Sequence, residues 1–253
     1  MKENRGILIY IVSLFPAVCT TFIVNEIWVM RKKGWNVNII SLEKGKTTVM
    51  HERVYKLFPF VVYSAPVFSW VTFKAHIYFL FIHPLRYVST LHYILFNRFL
   101  PWHFSELKLF IKAVYLAWVI KNKNIIHIHT HFAGANATCA AIIGSLLNKN
   151  FSFIAHAIGI FVFEKSHTLR ELIKRAKFVL TVSQYHKEYI LNKIKVNFSN
   201  KISIFKSSVI IDDFKMKPPF RNKISVILTI SRLCEKKGLI YLISVSYTHL
   251  RAH

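Results

Sequence analysis

The sequence predicts an α/β fold built on a doubly wound parallel sheet. Three observations carry that reading. Short apolar runs suited to strands buried on both faces alternate with helix-length segments along most of the chain. The chain opens strand, helix, strand, which is the unit of such a sheet. Its 253 residues are 53% hydrophobic and 15% aromatic, enough for a packed core and incompatible with disorder.

Residues 6–13, Gly-Ile-Leu-Ile-Tyr-Ile-Val-Ser, read as a buried parallel strand. The charge-free stretch 6–25, behind Lys2 and Arg5, also has the make-up of a signal peptide or anchor. Pro16 interrupts it, however, and no small-residue cleavage site follows. A turn at Phe15-Pro16 leads to a helix over about 20–33. Arg31, Lys32 and Lys33 suit its C-terminal dipole, and Gly34 stops it. Residues 36–42 form the second strand.

Residues 56–120 differ: they are aromatic, basic at intervals and broken by Pro59, Pro66, Pro84 and Pro101. The charge-free run 57–73 holds two of these prolines and makes a poor spanning helix. Amphipathic helices fit better, such as one over 105–121 capped by Ser105. Their apolar faces pack on the sheet or dip into a bilayer surface.

Alternation then resumes. Strands are expected at 125–130, 151–155, 178–182 and 202–205, with helices at 134–147, near 169–175 and at 184–193, the last capped by Ser183. Residues 1–214 thus make one domain, with 215–224 and its Pro218-Pro219 as a linker. A new β-α unit spans 225–244, its strand at 225–230. Residues 245–253 break the helical pattern and look foreign to the chain, like translated adapter sequence.

Charge narrows the partners. The chain has 35 Lys+Arg against 11 Asp+Glu, formally +24. That field favours nucleic acid, an anionic membrane face or phosphorylated substrates. No helix-turn-helix, zinc-finger or RNP pattern occurs, so nucleic acid is not expected. The basic residues are interleaved with Phe, Tyr and Trp, as on a membrane-facing surface. Cys19, Cys139 and Cys234 are too scattered for a disulfide framework and fit a reducing compartment.

Candidate site residues follow from position. Arg232 ends an apolar run and Lys237 stands at the start of the next helix, so two fixed cations flank a helix N-terminus, a setting for a diphosphate. Phe15, Pro16 and Thr21 lie on the loop from first strand to first helix, the ligand-facing edge of an open α/β sheet. His127, His129 and His131 alternate, so they share one face of their strand. His-x-His is also a metal-ligand spacing, which opens a metallohydrolase alternative. The only aspartates are the adjacent Asp212 and Asp213, and no metal is expected.

Five segments in order strengthen one reading. They are Phe15-Pro16 with Thr21-Phe22-Ile23 and Glu26; His129-Thr130-His131-Phe132-Ala133; the run 151–157 containing His156; the run 176–183; and Arg232-Leu233 followed by Glu235-Lys236-Lys237-Gly238. Over roughly residues 6–243 the chain resembles family 4 glycosyltransferases of the bacterial surface-polysaccharide type, the colanic-acid branch. The resemblance implies a GT-B fold: two Rossmann-like domains with the active site between them. Of these the chain holds the first, plus the opening β-α unit of the second.

It also implies a retaining enzyme that moves a sugar from a nucleotide-sugar to a lipid-linked or polysaccharide acceptor. Such an enzyme works in the cytoplasm, peripherally at the inner face of the plasma membrane, with no cofactor or metal. Arg232 and Lys237 would clamp the donor diphosphate, and His156 would face the reacting sugar. His131 would stand at the cleft edge, with His127 and His129 structural. Phe15, Pro16 and Thr21 would serve the acceptor side.

The departures matter too. Ser231 replaces the family's usual glycine, Thr20 stands in place of a glutamate, and Gly159 stands where an aspartate is common. Glu26 reads as a helix-face residue. The family's later pair of glutamates is absent, so the chain alone is expected to be inactive. The alternative is a non-catalytic module that binds a membrane surface or a polyanion.

Overall fold

The computed structural model describes residues 6–47, 50–98, 104–156, 159–163, 166–195, 197–206, 209–214, 228–231 and 233–251. The chain divides into two units, Met1–Ile210 and Ile211–His253.

Among the described residues the first unit holds seven strands: β1 (Ile7–Phe15), β2 (Asn36–Lys44), β3 (Val61–Tyr63), β4 (Ile125–His131), β5 (Phe151–Ala155), β6 (Phe178–Thr181) and β7 (Ile202–Ile204). They make one sheet in the order β3-β2-β1-β4-β5-β6-β7, every pair parallel. The chain winds outward from β1 to β3, then returns to lay β4 on β1's other side. That reversal opens a crevice beyond the carboxyl ends of β1 and β4.

Period-two alternation divides the core. On β1, Ile9 and Ile11 point into one apolar cluster, and Leu8, Tyr10 and Val12 into another. Both faces are covered, so β1 reads as an unbroken apolar run. The first cluster is roofed by α5 (Phe104–Ile120) and α6 (Ala135–Leu147). Small residues such as Ala137, Ala140 and Ala141 let α6 bury nearly its whole surface. The second cluster lies under α1 (Thr21–Lys32) and α2 (Glu52–Leu57).

Local signals work as expected at several ends. Gly34, at φ 84°, follows α1, and the amides of Gly34 and Trp35 donate to Arg31 and Met30 carbonyls. Ser183 caps α8 (Gln184–Ile194) by accepting from the His186 amide. The middle helices are α3 (Trp70–Ile82) and α4 (Pro84–Tyr93), with α7 (Ser166–Arg175) after β5. Two expectations need correction here. Ser105 lies inside α5 because Phe104 is already helical, and the short edge strand β3 was unforeseen.

The run 57–73 is cut into the end of α2, a 3-10 turn over Phe58–Phe60, β3 and the start of α3. Pro59 sits in that turn, where a missing amide costs nothing. α3 is apolar on every side. It buries Thr72, Ala75 and Phe79 and exposes Trp70, Phe73 and Phe81. Among the described residues no helix is long and apolar enough to cross a membrane.

In the second unit, the expected linker 215–224 and residues 225–227 lie outside the described residues. Leu228–Ile230 are exposed and form no strand. A 3-10 turn over Glu235–Lys237 leads through Gly238 into α9 (Leu239–Arg251). This helix corrects the expected break at residue 245. No Gly or Pro interrupts it, and Ser246 and Thr248 turn their hydroxyls back onto the carbonyls of Ile243 and Ser244.

Candidate active site

The site grows from β4. Alternation sets His127, His129 and His131 on one face, and the register places Tyr10 of β1 and Ser152 of β5 on either side of His129. α1 crosses the same face, with Ile23, Val24 and Ile27 buried against the sheet. Glu26 stands three residues after Ile23, so its side chain is carried inward with that stripe.

Tyr10 Oη donates to Glu26 Oε1 at 2.6 Å. Glu26 Oε2 lies 3.2 Å from His131 Nε2, and Oε1 lies 4.0 Å from His129 Nε2. On the far side of the His131 ring, Nδ1 is 3.1 Å from Nε2 of His156, just past the end of β5. A continuous polar chain therefore runs from Tyr10 through Glu26 and His131 to His156. Ser152 Oγ sits 2.7 Å from both His127 Nε2 and His129 Nδ1. Its single proton can serve only one ring, so it accepts from the other.

Burial sets the charges. It is the main force pushing His129 down to about 3, with His131 adding to it. His156 goes down to about 4, first through burial and then through the charge of His131. For Glu26, burial works upward. Hydrogen bonding and charge from His131, with smaller help from Tyr10 and His129, outweigh it and hold the carboxyl below its ordinary value. Burial and then the Glu26 charge push the Tyr10 phenol well above its usual range, so it stays a donor.

Of these groups Glu26, His131 and His156 floor a cleft of about 530 Å³, whose walls include Phe22, Met30, Val182 and Phe205. Phe22 meets the rings of His131 and His156 edge-on at 5.4 Å, and Phe132 packs 4.8 Å from His156. Phe132 holds a left-handed backbone, φ 72°, and its amide donates to the Ile154 carbonyl at 2.8 Å. Such strain in a bulky residue is tolerated where the surroundings fix it, often at a functional site. An apolar wall over a floor of imidazole and carboxylate suits a ligand with a hydrophobic side and hydroxyl groups.

The sequence-predicted residues are placed unevenly. His131 and His156 come together on the cleft floor. Phe15 and Pro16 are buried, with the Phe15 ring against Phe58, and Thr21 is exposed at the first position of α1. None of these three is among the cleft's lining residues. Arg232 lies outside the described residues. Lys237 is exposed in the turn before α9.

One reading is corrected: Glu26 is no mere helix-face residue but the hub of the polar chain. His129 turns its Nε2 toward it at 4.0 Å. The signal lay in the sequence: one acid on the inward stripe of α1, in a chain with few acids. His127 is set apart, its ring stacked flat on Phe178 at 5.5 Å. At Gly159, a Cβ would meet the Ala133 amide nitrogen and carbonyl oxygen at 3.2 Å. The carboxylate common in the resembled family has no room there unless Ala133 shifts.

No protein-family model and no curated protein matches the chain. Solved structures do. A glycosyltransferase from Rickettsia africae superposes with a TM-score of 0.51 at 16% identity, over 83% of this chain and 45% of that one. HepE of Anabaena, solved with UDP-glucose, gives 0.47 at 10% identity over 85% and 47%. MnaA of S. aureus, solved with UDP, gives 0.46 at 8% over 79% and 43%. The chain thus spans less than half the length of each. The fold is α/β and Rossmann-like, as in one half of a GT-B glycosyltransferase.

Proposed function

We propose that this chain is the acceptor-side half of a retaining family 4 glycosyltransferase of the surface-polysaccharide type. The whole enzyme moves a sugar from a nucleotide-sugar to a lipid-linked or polysaccharide acceptor, at the cytoplasmic face of the membrane. The observation that carries this reading is the cleft beyond the carboxyl ends of the central strands, where His131 and His156 meet beneath an aromatic wall.

His156 is the half-buried end of the polar chain. Neutral at pH 7 and with Nε2 taken by His131, it has Nδ1 left for a sugar hydroxyl, as donor when Nε2 accepts from His131 and as acceptor when Nε2 donates. Arg232 and Lys237 belong to the donor side. Departure of a nucleoside diphosphate builds negative charge, and preorganised cations stabilise it without a metal at that position. Phe15, Pro16 and Thr21 frame the acceptor-side loop from beneath.

Membrane attachment falls to α3 and α4. Phe68, Trp70, Phe81 and Leu85 are each at least 66% exposed, and Lys74 and Arg86 lie exposed among them. Apolar groups that enter the headgroup region and cations that meet anionic lipid make a peripheral contact.

The deciding experiment assays this chain and a version extended by a complete second Rossmann-like domain. Labelled nucleotide-sugars and a bacterial lipid extract serve as substrates. Transfer is expected only from the extended protein. Transfer by neither, with every common donor, would leave the non-catalytic membrane-surface module as the better account.

A further inference from the structure

We propose that Glu26, His129 and His131 form a binding site for one divalent transition-metal ion of the zinc class, at the floor of the cleft. The three ligand atoms, one from each residue, lie within 4.8 Å of one another. Two imidazoles and a carboxylate are a donor set for zinc and its neighbours rather than for magnesium or calcium, which favour oxygen.

The orientation of the rings is the stronger argument. Both histidines turn Nε2 toward the Glu26 carboxylate, and both have Nδ1 engaged behind: His129 with Ser152 Oγ at 2.7 Å, His131 with His156 at 3.1 Å. Metal-binding imidazoles are held in this way, one nitrogen for the ion and the other hydrogen-bonded to a neighbour. Nε2 of His131 is buried, and the group it faces, at 3.2 Å, is the Glu26 carboxylate.

Distances permit closure. In a tetrahedral shell with bonds of about 2.0–2.1 Å, ligand atoms stand roughly 3.3 Å apart. The Glu26–His131 separation already matches. The widest pair closes by about 1.5 Å, through ring rotation and a swing of the partly exposed Glu26 side chain. His127 is excluded, because its Nε2 faces Ser152 and its ring stacks on Phe178.

A fourth position opens into the cleft, where Glu26 and His131 line the wall. Occupancy also fixes protons. With Nε2 of His131 on the metal, its Nδ1–H donates to Nε2 of His156. The remaining proton of a neutral His156 then sits on Nδ1. The site lies wholly within the first unit.

The test uses the full 253-residue chain, stripped with a chelator, and reads binding without sugar transfer. Its outcome is therefore independent of the proposed function. Co²⁺ titration should give one equivalent with the intense visible bands of a four- or five-coordinate ion, displaced by Zn²⁺. Glu26→Gln, His129→Gln and His131→Gln should each weaken binding at least tenfold, and His92→Gln, on an exposed helix face, should not. Equal affinity in all four variants, or only the weak spectrum of six-coordinate surface sites, overturns the proposal. If a variant fails to fold by circular dichroism, X-ray absorption on the wild-type zinc complex decides. Two imidazoles in the shell support the site, and fewer than two refute it.

Discussion

His131 and His156 hold their rings nearly parallel, 14° apart, with Nδ1 of one 3.1 Å from Nε2 of the other. One ring must donate and the other accept. A doubly protonated pair would set two N–H groups against each other in a half-dry cleft, so the contact survives only while one of the rings stays neutral.

Acidification should therefore destabilise the protein. His129 and His156 are held at about 3 and about 4, below the 6.5 of a free imidazole. Between those values the unfolded chain binds more protons, so their contribution is complete above about pH 6.5 and drains away as pH falls toward 4. Glu26, also held low, acts in the same direction at lower pH. Melting temperature should drop by several degrees between pH 7.5 and pH 5, and His156→Gln should flatten the slope. A flat wild-type profile would contradict the burial of these rings.

The donor side is tested in an enzyme with a complete second domain. On the proposed diphosphate role, Arg232→Ala or Lys237→Ala removes one charge-assisted contact to a developing anion, a loss on the order of 10²–10³ in turnover by analogy with oxyanion donors. His156→Ala should lower turnover as well. His127→Ala should act mainly on stability, because its ring is tied to Ser152 and Phe178. Normal rates in both clamp variants would remove the diphosphate assignment.

Vesicle flotation addresses the exposed aromatic helices. Binding to anionic vesicles should weaken between 50 and roughly 500 mM salt, since exposed charges are screened beyond about 10 Å at 0.1 M. Replacing Trp70 and Phe81 with Ser should reduce it about tenfold or more, as burying one large apolar side chain contributes about 1.5–3 kcal/mol. Equal binding to neutral vesicles would show that charge has no part in it.

Core packing offers a contrast within one sheet. Phe153 on β5 is fully buried, and Phe153→Ala should cost about 3–5 kcal/mol. Ile204 on β7 is 42% exposed, and Ile204→Ala should cost under about 1 kcal/mol. Urea unfolding midpoints measure both.

Much of this architecture was legible in the sequence, for identifiable reasons. β5 and the Ser183 cap coincide with their expected positions because apolar run and polar capping residue act locally. Residues 6–13 read as a strand because an unbroken apolar run bounded by a Phe-Pro turn suits the centre of a parallel sheet, and β1 spans Ile7–Phe15. β3 was not legible: three residues carry no usable periodicity, and only pairing with β2 defines it. Glu26 was misjudged because its role depends on β4, far along the chain, coming to rest beneath α1. Thr21 illustrates the converse limit, since a motif marks a loop without saying which way each side chain points.

Gly45, just past β2, has a bearing on how the loop after β1 can change. Its amide donates to the Phe15 carbonyl at 2.9 Å, and a Cβ there would fall 1.9 Å from the Pro16 oxygen. The loop after β1 is thus anchored by main chain against main chain. Thr20 adds a tie of its own, its Oγ1 donating to the Ala17 carbonyl at 3.1 Å, whereas the side chains at 17 and 18 take no part in that latch. Lineages can in this way vary positions 17 and 18 at little risk to folding, provided position 45 keeps no side chain.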